Sequence, residues 1–261
     1  MNAQLKLFLL GPFRVERAGQ PLTDFKSNKV RALLAYLAVE RDTPHHRDVL
    51  AGLLWPESVN ALAMLRDALS NLRRVLDDRD AESPIIRVVA DTLQLDPAQL
   101  WLDVAELDAL TTGASRAALE ATLARAAALY RGDFLEGFTL ADTPDFEMWV
   151  LLQRETLRRT MQDALYRLTT LYLQRGDYTA AQAWAQRQLT LDRYREEAHR
   201  QLLRALALDG QRNRALAHYA EYCALLDEEL GVTPDVRTTA LYQRIRAGGL
   251  RPDTAFAPLP P

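Results

Sequence analysis

Cysteine is almost absent from this sequence, since Cys223 is the one cysteine among 261 residues. One cysteine excludes an internal disulfide framework and favours a reducing compartment, so we expect a cytoplasmic protein. No apolar run approaches the roughly 18 residues that a membrane helix needs. The chain starts with a single lysine before a very short apolar run, which is not the pattern of a signal peptide. We therefore expect no membrane contact.

An excess of positive charge is also lacking. The net charge is -3, and residues 1–98 carry 13 basic and 13 acidic side chains while residues 99–261 carry 19 and 22. A protein that binds nucleic acid through its bulk charge is usually basic. Any nucleic-acid site must therefore depend on where individual cations lie.

The motifs of the common catalytic sites are missing as well. The chain has neither GxxxxGK[ST] nor GxGxxG to hold a phosphate, and neither GxSxG nor HExxH of the hydrolases. His45 and His46 are adjacent, but no cysteine or acidic residue stands at a spacing that would complete a metal site with them. We expect a protein that is not an enzyme and that uses no metal and no cofactor.

The first hundred residues combine short strand patterns with helical patterns. Residues 4–17 predict two short strands separated by Gly11 and Pro12. Helical periodicity then predicts three helices, over residues 27–38, 47–54 and 60–76. A small β-hairpin is predicted to follow them over residues 85–95. Strands, three helices and a hairpin in this order are the layout of a winged helix-turn-helix.

The helix predicted for residues 60–76 has two contrasting faces. Its leucines repeat at steps of three and four residues and form a stripe that we expect to face the core: Leu62, Leu65, Leu69, Leu72 and Leu76. The opposite face and its shoulders carry Ala63, Met64, Arg66, Asp67, Ser70, Asn71, Arg73 and Arg74. Arginine pairs with guanine, asparagine with adenine and serine with several bases, so this face is suited to a major groove. The alternative is an ordinary amphipathic helix with a solvated polar face.

The second half of the chain repeats with a period of 34 residues. This offset superposes Gly176 on Gly210 and Ala181 on Ala215. A helix, a glycine turn and a second helix, with small residues where the helices cross, are the tetratricopeptide pattern. Helices are predicted near residues 116–130, 146–175, 178–191, 195–208, 212–229 and 235–246, and no convincing strand pattern follows Pro97.

Several segments resemble the SARP/AfsR/DnrI type of bacterial transcriptional regulator. In the first half they are LKLFLLGPFRV, SNKVRALLAYLAV, RDVLAGLLWP and MLRDALSNLRRVL; in the second they include YRGDFLEGF, FEMWVLLQRETLRR and the run from REEAHRQLL to ELGVTPD. The resemblance covers about residues 4–247. It implies a mainly α protein with a small β component. The implied parts are an OmpR-like winged-helix DNA-binding domain, a tetratricopeptide-like bacterial transcriptional activation domain and a proline-rich tail or linker, at residues 1–97, 98–247 and 248–261.

The resemblance also implies which residues contact DNA. OmpR-like recognition helices touch bases and backbone from positions that match Arg66, Asp67, Ser70, Asn71, Arg73 and Arg74. The hairpin position matches Thr92, with Arg87 as a second candidate. Trp55 matches a residue that packs under the loop and can meet a phosphate, and Lys29 is a further cation of the same domain, as are Lys26 and Arg47.

The implied function is sequence-specific transcription activation, with double-stranded DNA and RNA polymerase as partners. So few cations offer only a few phosphate contacts, which predicts weak binding by a monomer at physiological salt. We therefore expect a homodimer on repeated half-sites. Two alternatives stay open: a tetratricopeptide-type interaction or signalling adaptor, and the N-terminal part of a larger regulator that contains an ATPase.

Overall fold

The computed structural model describes residues 5–79, 81–112 and 118–250, so most of the predicted tail lies outside the described residues. The chain is mainly helical, with two small sheets in these ranges. It forms two compact units. The first contains residues 1–113 and 128–159, and the second contains residues 114–127 and 160–261.

The first unit holds both sheets. Its strands are β1 (Leu5–Phe8), β2 (Arg14–Arg17), β3 (Gln20–Pro21), β4 (His45–His46), β5 (Ile86–Val89), β6 (Thr92–Leu95) and β7 (Leu100–Leu102). The larger sheet has the order β3-β2-β1-β7, in which β1 is antiparallel to β2 and parallel to β7. The smaller sheet has the order β4-β6-β5.

Strand β7 contradicts the expectation that no strand follows Pro97. Its two leucines, Leu100 and Leu102, are buried, and Trp101 lies against Phe8 with 5.2 Å between the ring centroids. An alternation of three residues is too short to stand out in a sequence. The partner that makes it a strand is β1, at the far end of the domain, so only the folded chain reveals it.

Most of the helices were predicted. They are α1 (Asn28–Val39), α2 (Arg47–Leu54), α3 (Ala61–Val75), α4 (Asp103–Thr112), α5 (Leu119–Leu129), α6 (Pro144–Arg175), α7 (Tyr178–Leu191), α8 (Glu196–Leu208), α9 (Arg212–Leu230) and α10 (Val236–Arg246). The central helix of the first unit is α1, whose Leu33, Leu34 and Leu37 are fully buried. The predicted hairpin is formed by β5 and β6.

The middle of the chain returns to its beginning within the first unit. The backbone N–H of Gly11 donates to the carbonyl of Asp133 at 3.0 Å, and the N–H of Leu135 donates to the carbonyl of Leu9 at 2.8 Å. Phe134, between these two contacts, is fully buried. Residues 133–135 therefore complete the backbone pairing of the segment that follows β1.

Asp103 satisfies two more backbone groups of the same segment. Its side chain is 1% exposed, and its carboxylate accepts hydrogen bonds from the N–H groups of Leu9 and Leu10, each at 2.9 Å. A buried N–H without an acceptor is costly. The first residue of α4 thus fixes the chain where β1 ends.

The first half of α6 belongs to the first unit. Trp149 donates from its indole Nε1 to Glu40 Oε1 at 2.8 Å, and its ring lies 5.0 Å from that of Tyr36. Arg154 donates to the carbonyl of Phe134 at 2.8 Å. These contacts join α6 to the C-terminal end of α1 and to the segment around residue 134.

The second unit is built from helices, including the second half of α6 and α7 to α10. Helix α8 packs against α7 and α9, and α10 packs against α8 and α9. Gly176 and Gly210, which are equivalent under the 34-residue offset, each follow a helix with a positive φ, 78° and 75°. Ala181 and Ala215 are both fully buried. The repetition in the sequence is therefore a repetition in the backbone.

Candidate nucleic-acid interface

Helix α3 turns a polar edge outward. Its buried side consists of Leu65, Ala68, Leu69 and Leu72, together with Asn71. Its exposed edge carries Arg66, Asp67, Ser70 and Arg74. At 100° per residue these four lie within about 100° of each other. The leucine periodicity predicts this orientation for all four.

Asn71 does not lie on that edge. Its side chain is 3% exposed, and its Oδ1 accepts a hydrogen bond from the backbone N–H of Lys26 at 3.0 Å. In this structure Asn71 is therefore not exposed to a base, contrary to the position expected for it on the helix. Leu62, expected in the core, is 49% exposed. Both errors have one cause, because the buried side is centred near Ala68 and Leu72, roughly 90° from Leu62 on the wheel.

Arg74 contacts the same segment as Asn71 but remains exposed. Its guanidinium donates to the backbone carbonyl of Asp24 at 3.2 Å. Two hydrogen bonds thus hold residues 24–26 along α3, one at a buried position and one at the outer edge. The orientation of Arg74 is set by this contact.

Four arginines line an open groove beside the exposed edge. Arg47 comes from the start of α2, Arg66 and Arg73 from α3, and Arg79 from the segment after α3; Leu69 and Ser70 complete the lining. The groove has a volume of about 360 Å³. Arg66 and Arg73 have no ion-pair partner in the part of the chain that the structure describes. Positive charge gathers here with little acidic compensation.

Arg79 is the residue of this groove that sequence reasoning missed. Its guanidinium donates to Ser70 Oγ at 3.0 Å, a neutral acceptor nine residues earlier. In the sequence, Arg79 stands among aspartates and marks only the polar end of a helix. Its direction toward Ser70 depends on how the chain leaves α3, for which the sequence contains no signal.

The hairpin of β5 and β6 is anchored at its base and at its turn. At the base, the buried Asp78 accepts hydrogen bonds from the backbone N–H groups of Ile85 and Ile86, the latter at 3.1 Å. At the turn, Arg47 donates its backbone N–H to the carbonyl of Asp91 at 3.1 Å, and its Nε lies 3.7 Å from the Asp91 carboxylate. The hairpin is therefore fixed relative to both α2 and α3.

Both predicted hairpin residues have partners within the chain. Arg87 forms an ion pair with Asp96 at 2.6 Å. Burial raises the pKa of Asp96, but hydrogen bonds, among them those from Gln99 and Arg87, outweigh burial and hold this pKa below its usual value. Thr92 donates from Oγ1 to a backbone carbonyl of the turn at 2.9 Å. Arg87 remains exposed, whereas Thr92 is half-buried.

Trp55 and Lys29 lie together at the end of α2. The Trp55 side chain is buried, and the Lys29 ammonium lies 5.7 Å from the centroid of its ring. A cation at this distance from an aromatic face is attracted by it. Trp55 is therefore buried, and Lys29, which is half-buried, lies beside its ring.

The described ranges contain neither a metal-binding cluster nor a helix that could span a membrane. No three side chains of histidine, cysteine, aspartate or glutamate lie together there in a way that would hold a metal ion. None of the helices in those ranges has the length and apolarity needed to cross a membrane.

Comparisons with known proteins point to bacterial regulators. Residues 102–246 match the family model described as bacterial transcriptional activator domain. Over 266 residues the chain is 30% identical to the regulatory protein AfsR of Streptomyces coelicolor, a match that covers 99% of the chain and 25% of AfsR. It is 27% identical over 258 residues to the transcriptional regulatory protein EmbR of Mycobacterium tuberculosis, covering 94% of the chain and 64% of EmbR. The chain therefore spans a quarter of one relative and less than two thirds of the other.

A solved structure of EmbR, in complex with a low affinity phosphopeptide, has a similar fold. The TM-score is 0.75 at 25% sequence identity, and the similarity covers 97% of this chain and 68% of that one. The similarity therefore extends over both units of this chain.

Proposed function

Since residues 102–246 are more than half of its length, the chain belongs to the bacterial transcriptional activator domain family, as its sequence resemblance predicted, and we propose that it is a transcriptional regulator that binds double-stranded DNA. In this proposal the first unit is a winged helix-turn-helix, with α3 as the recognition helix and the β5–β6 hairpin as the wing. The main support is the exposed polar edge of α3 beside a groove lined by four arginines.

The exposed edge of α3 is suited to the edges of bases. Arg66 and Arg74 can each donate two parallel hydrogen bonds to a guanine, and Ser70 accepts or donates with several bases. Asp67, on the same edge, would accept from cytosine and would repel phosphate. Asn71 drops out of the proposed set because it is buried.

The arginine groove is suited to the DNA backbone. Arg47, Arg73 and Arg79 stand beside the base-reading edge, where a phosphate would offset their mutual repulsion. Lys29 beside Trp55, and Arg87 and the hydroxyl of Thr92 on the hairpin, are the further polar contacts in this proposal. Each phosphate contact adds about 0.9 to the slope of log affinity against log salt, so this surface gives a monomer a limited slope.

We propose that two copies bind adjacent half-sites. Support comes from α6, where Met148, Leu151 and Leu152 are exposed at helical spacing. Asp145 and Arg159 are also exposed and each lies seven residues from Leu152, and Arg159 forms an ion pair with Glu155 of the same helix. Antiparallel pairing of two copies about Leu152 would therefore place Asp145 of one copy opposite Arg159 of the other, which a two-fold interface requires.

The repeated helices of the second unit are the part that we propose to be tetratricopeptide-like and to contact RNA polymerase. Their support is the shared position of Gly176 and Gly210 and the shared burial of Ala181 and Ala215. An adaptor function is the second candidate. It is favoured by one observation, the phosphopeptide in the EmbR complex.

Fluorescence anisotropy with a pool of labelled duplexes tests the DNA proposal. We expect Arg66→Ala and Arg74→Ala to weaken binding to the selected duplexes by about 1–3 kcal/mol each. Lys6→Gln removes an exposed charge from β1, outside the proposed interface, and should leave affinity unchanged. Circular dichroism confirms that the variants fold. Equal effects of all three variants, or no binding by the unmodified protein, would contradict the proposal.

Sedimentation of the protein, free and bound to DNA, tests the dimer. We expect Leu152→Glu to yield monomers, because it places two like charges at the centre of the pairing. Leu230→Glu changes a leucine of similar exposure on α9 and serves as the matched control. A dimer that persists in Leu152→Glu and is lost in Leu230→Glu would place the interface elsewhere.

A further inference from the structure

A cavity of about 270 Å³ lies in the second unit and is lined by residues of α7, α8 and α9. Its apolar part is formed by Leu202 and Leu206 of α8, which are almost fully buried. Its polar part comes from α7 and α9 and consists of Gln186, Arg214, His218 and Glu221. Ligand sites in proteins combine an apolar wall with a few polar groups that fix the orientation of the ligand. The volume is just below the range of about 300–1,000 Å³ that is typical of sites for drug-sized ligands, so a smaller molecule fits this cavity.

The α9 side of the cavity carries opposite charges at its two ends. Four of the lining residues lie on one face of this helix, because they are spaced by three, one and three residues: Arg214, Ala217, His218 and Glu221. Arg214 and Glu221 are two turns apart, about 10.5 Å along the helix axis. This separation exceeds the one-turn spacing at which side chains of a helix form ion pairs with each other. The cavity therefore has a positive end and a negative end, with His218 between them.

Neither of these two charges is neutralised within the described part of the chain. Arg214 donates to the side-chain oxygen of Gln211, a neutral acceptor, and forms no ion pair within residues 118–250 or the other described ranges. The carboxylate of Glu221 forms neither a hydrogen bond nor an ion pair with any residue that the structure describes. Both side chains are exposed at the rim of the cavity. Arg214 and Glu221 are therefore available to the opposite charges of a ligand.

The hydrogen bonds of two stacked histidines determine which nitrogen of His218 is left for a ligand. His199 Nε2 lies 2.8 Å from the carbonyl of Arg193, which can only accept, so this nitrogen carries the hydrogen. Burial lowers the pKa of both histidines and favours their neutral forms, so His199 Nδ1 accepts from His218 Nε2 at 3.0 Å. His218 therefore has its lone pair on Nδ1, which has no partner among the described residues and is not shielded from solvent. At the cavity, this nitrogen is an acceptor for a donor group of the ligand.

We propose that this cavity is a binding site for a small zwitterion, a molecule in which an apolar body joins a carboxylate to a primary ammonium group. Arg214 donates two parallel hydrogen bonds to the carboxylate, and the ammonium donates to Glu221 and to His218 Nδ1. The apolar body covers Leu202 and Leu206. A dipeptide has this chemistry: it spans at most about 7 Å when extended, and hydrogen bonds of about 3 Å at its ends make up the remaining distance. The site belongs to the second unit and does not depend on the DNA proposal.

Isothermal titration calorimetry of the full chain tests the two charged ends. The probe is the dipeptide leucyl-leucine, compared with its acetylated form, which lacks the ammonium, and its amidated form, which lacks the carboxylate. We expect saturable binding of the free dipeptide and an affinity about tenfold or more lower for each blocked form, because each loses hydrogen bonds between charged groups. Glu221→Gln should reduce the difference between the free and the acetylated dipeptide, and Arg214→Gln that between the free and the amidated one. Glu228→Gln, at an exposed position of α9 outside the lining, is the matched control and should keep both differences.

A second pair of variants tests the cavity itself. Ala217 and Ala220 are both exposed on α9, but Ala217 lines the cavity and Ala220 lies outside its lining. Ala217→Phe fills the cavity without removing a charge and should abolish binding, whereas Ala220→Phe should bind the dipeptide normally. Circular dichroism checks that both variants fold. No saturable binding by the unmodified protein, equal affinity for the free and the blocked dipeptides, or equal loss in the two phenylalanine variants would overturn the proposal.

Discussion

At the scale of single residues, Asp103 accepts hydrogen bonds from two buried backbone groups. Asp103→Ala would leave the N–H groups of Leu9 and Leu10 without an acceptor, and we expect it to lower the free energy of unfolding by about 2–4 kcal/mol. Asp108→Ala, an exposed change on the same helix, should cost less than about 0.5 kcal/mol. Denaturant unfolding measures both, and similar losses in the two variants would contradict the assigned role of Asp103.

A second prediction at this scale concerns pH. His199 is buried, and its Nδ1 forms a hydrogen bond of 3.0 Å with His218 Nε2. Burial lowers the pKa of His199 to about 4. In the unfolded chain the imidazole of His199 takes up a proton near pH 6.5, whereas in the folded chain this imidazole stays neutral until the pH falls to about 4. The unfolded state thus binds more protons in this window, so stability should fall as the pH drops through it, by up to about 3 kcal/mol.

The control for this prediction is a second histidine. His199→Gln should reduce the loss of stability between pH 6.5 and pH 4, and part of the loss should remain because burial also lowers the pKa of His218. His46→Gln removes an exposed histidine and should leave the pH dependence unchanged. Urea unfolding at several pH values measures both slopes, and identical slopes in the two variants would show that His199 is not responsible.

Single residues of α3 and of the segment after it also show which side-chain positions the sequence predicts and which it does not. The wheel of α3 placed Arg66 and Arg74 on the outer edge correctly, because leucine spacing fixes the buried side to within a few tens of degrees. It placed Asn71 wrongly, because Lys26, which binds it, comes from a loop 45 residues earlier. Arg79 was missed because its contact depends on the path of the chain after the helix.

At the scale of elements, substitution by alanine distinguishes a glycine that turns the chain between two helices of the repeats from a glycine inside a helix. Gly210 has a φ of 75°, and no atom lies within 4 Å of an added Cβ, so Gly210→Ala should destabilise the protein by about 1 kcal/mol through backbone strain alone. Gly52 is inside α2 with equally open space, so Gly52→Ala should stabilise by about 0.5–1 kcal/mol. Chemical unfolding of both variants measures this, and effects of the same sign would contradict the assignment.

Elements with strong local signals were the ones predicted. The bounds of α7 and the hairpin of β5 and β6 follow from helical periodicity and strand alternation in the sequence itself. Strands β4 and β7 were not predicted, because they have two and three residues and exist through pairing with distant strands. Short strands carry too few residues for a period to be recognised.

At the scale of the whole molecule, the first unit includes residues far beyond the predicted boundary at residue 97. A fragment of residues 1–112 lacks Phe134 and Trp149, which are packed in this unit. We expect it to melt at a lower temperature than a fragment of residues 1–159 and to bind a hydrophobic dye, because it exposes the apolar surface that those side chains cover.

Differential scanning fluorimetry compares the two fragments. The fragment of residues 1–159 is the control, since it contains the backbone pairing of residues 133–135 with residues 9–11. Equal melting temperatures and no dye binding by either fragment would show that the first 112 residues are stable alone. In that case the boundary predicted from sequence would be closer to the folding unit.

The hydrogen bonds between residues 9–11 and residues 133–135 also set an order of events during synthesis. A chain leaves the ribosome from its first residue onward, so the segment after β1 waits about 120 residues for its partner. The first unit therefore has all of its residues only after the first half of α6 has been translated. A product cut short before that point would lack Phe134 and Trp149, so the first unit would leave exposed the apolar surface that these two side chains cover.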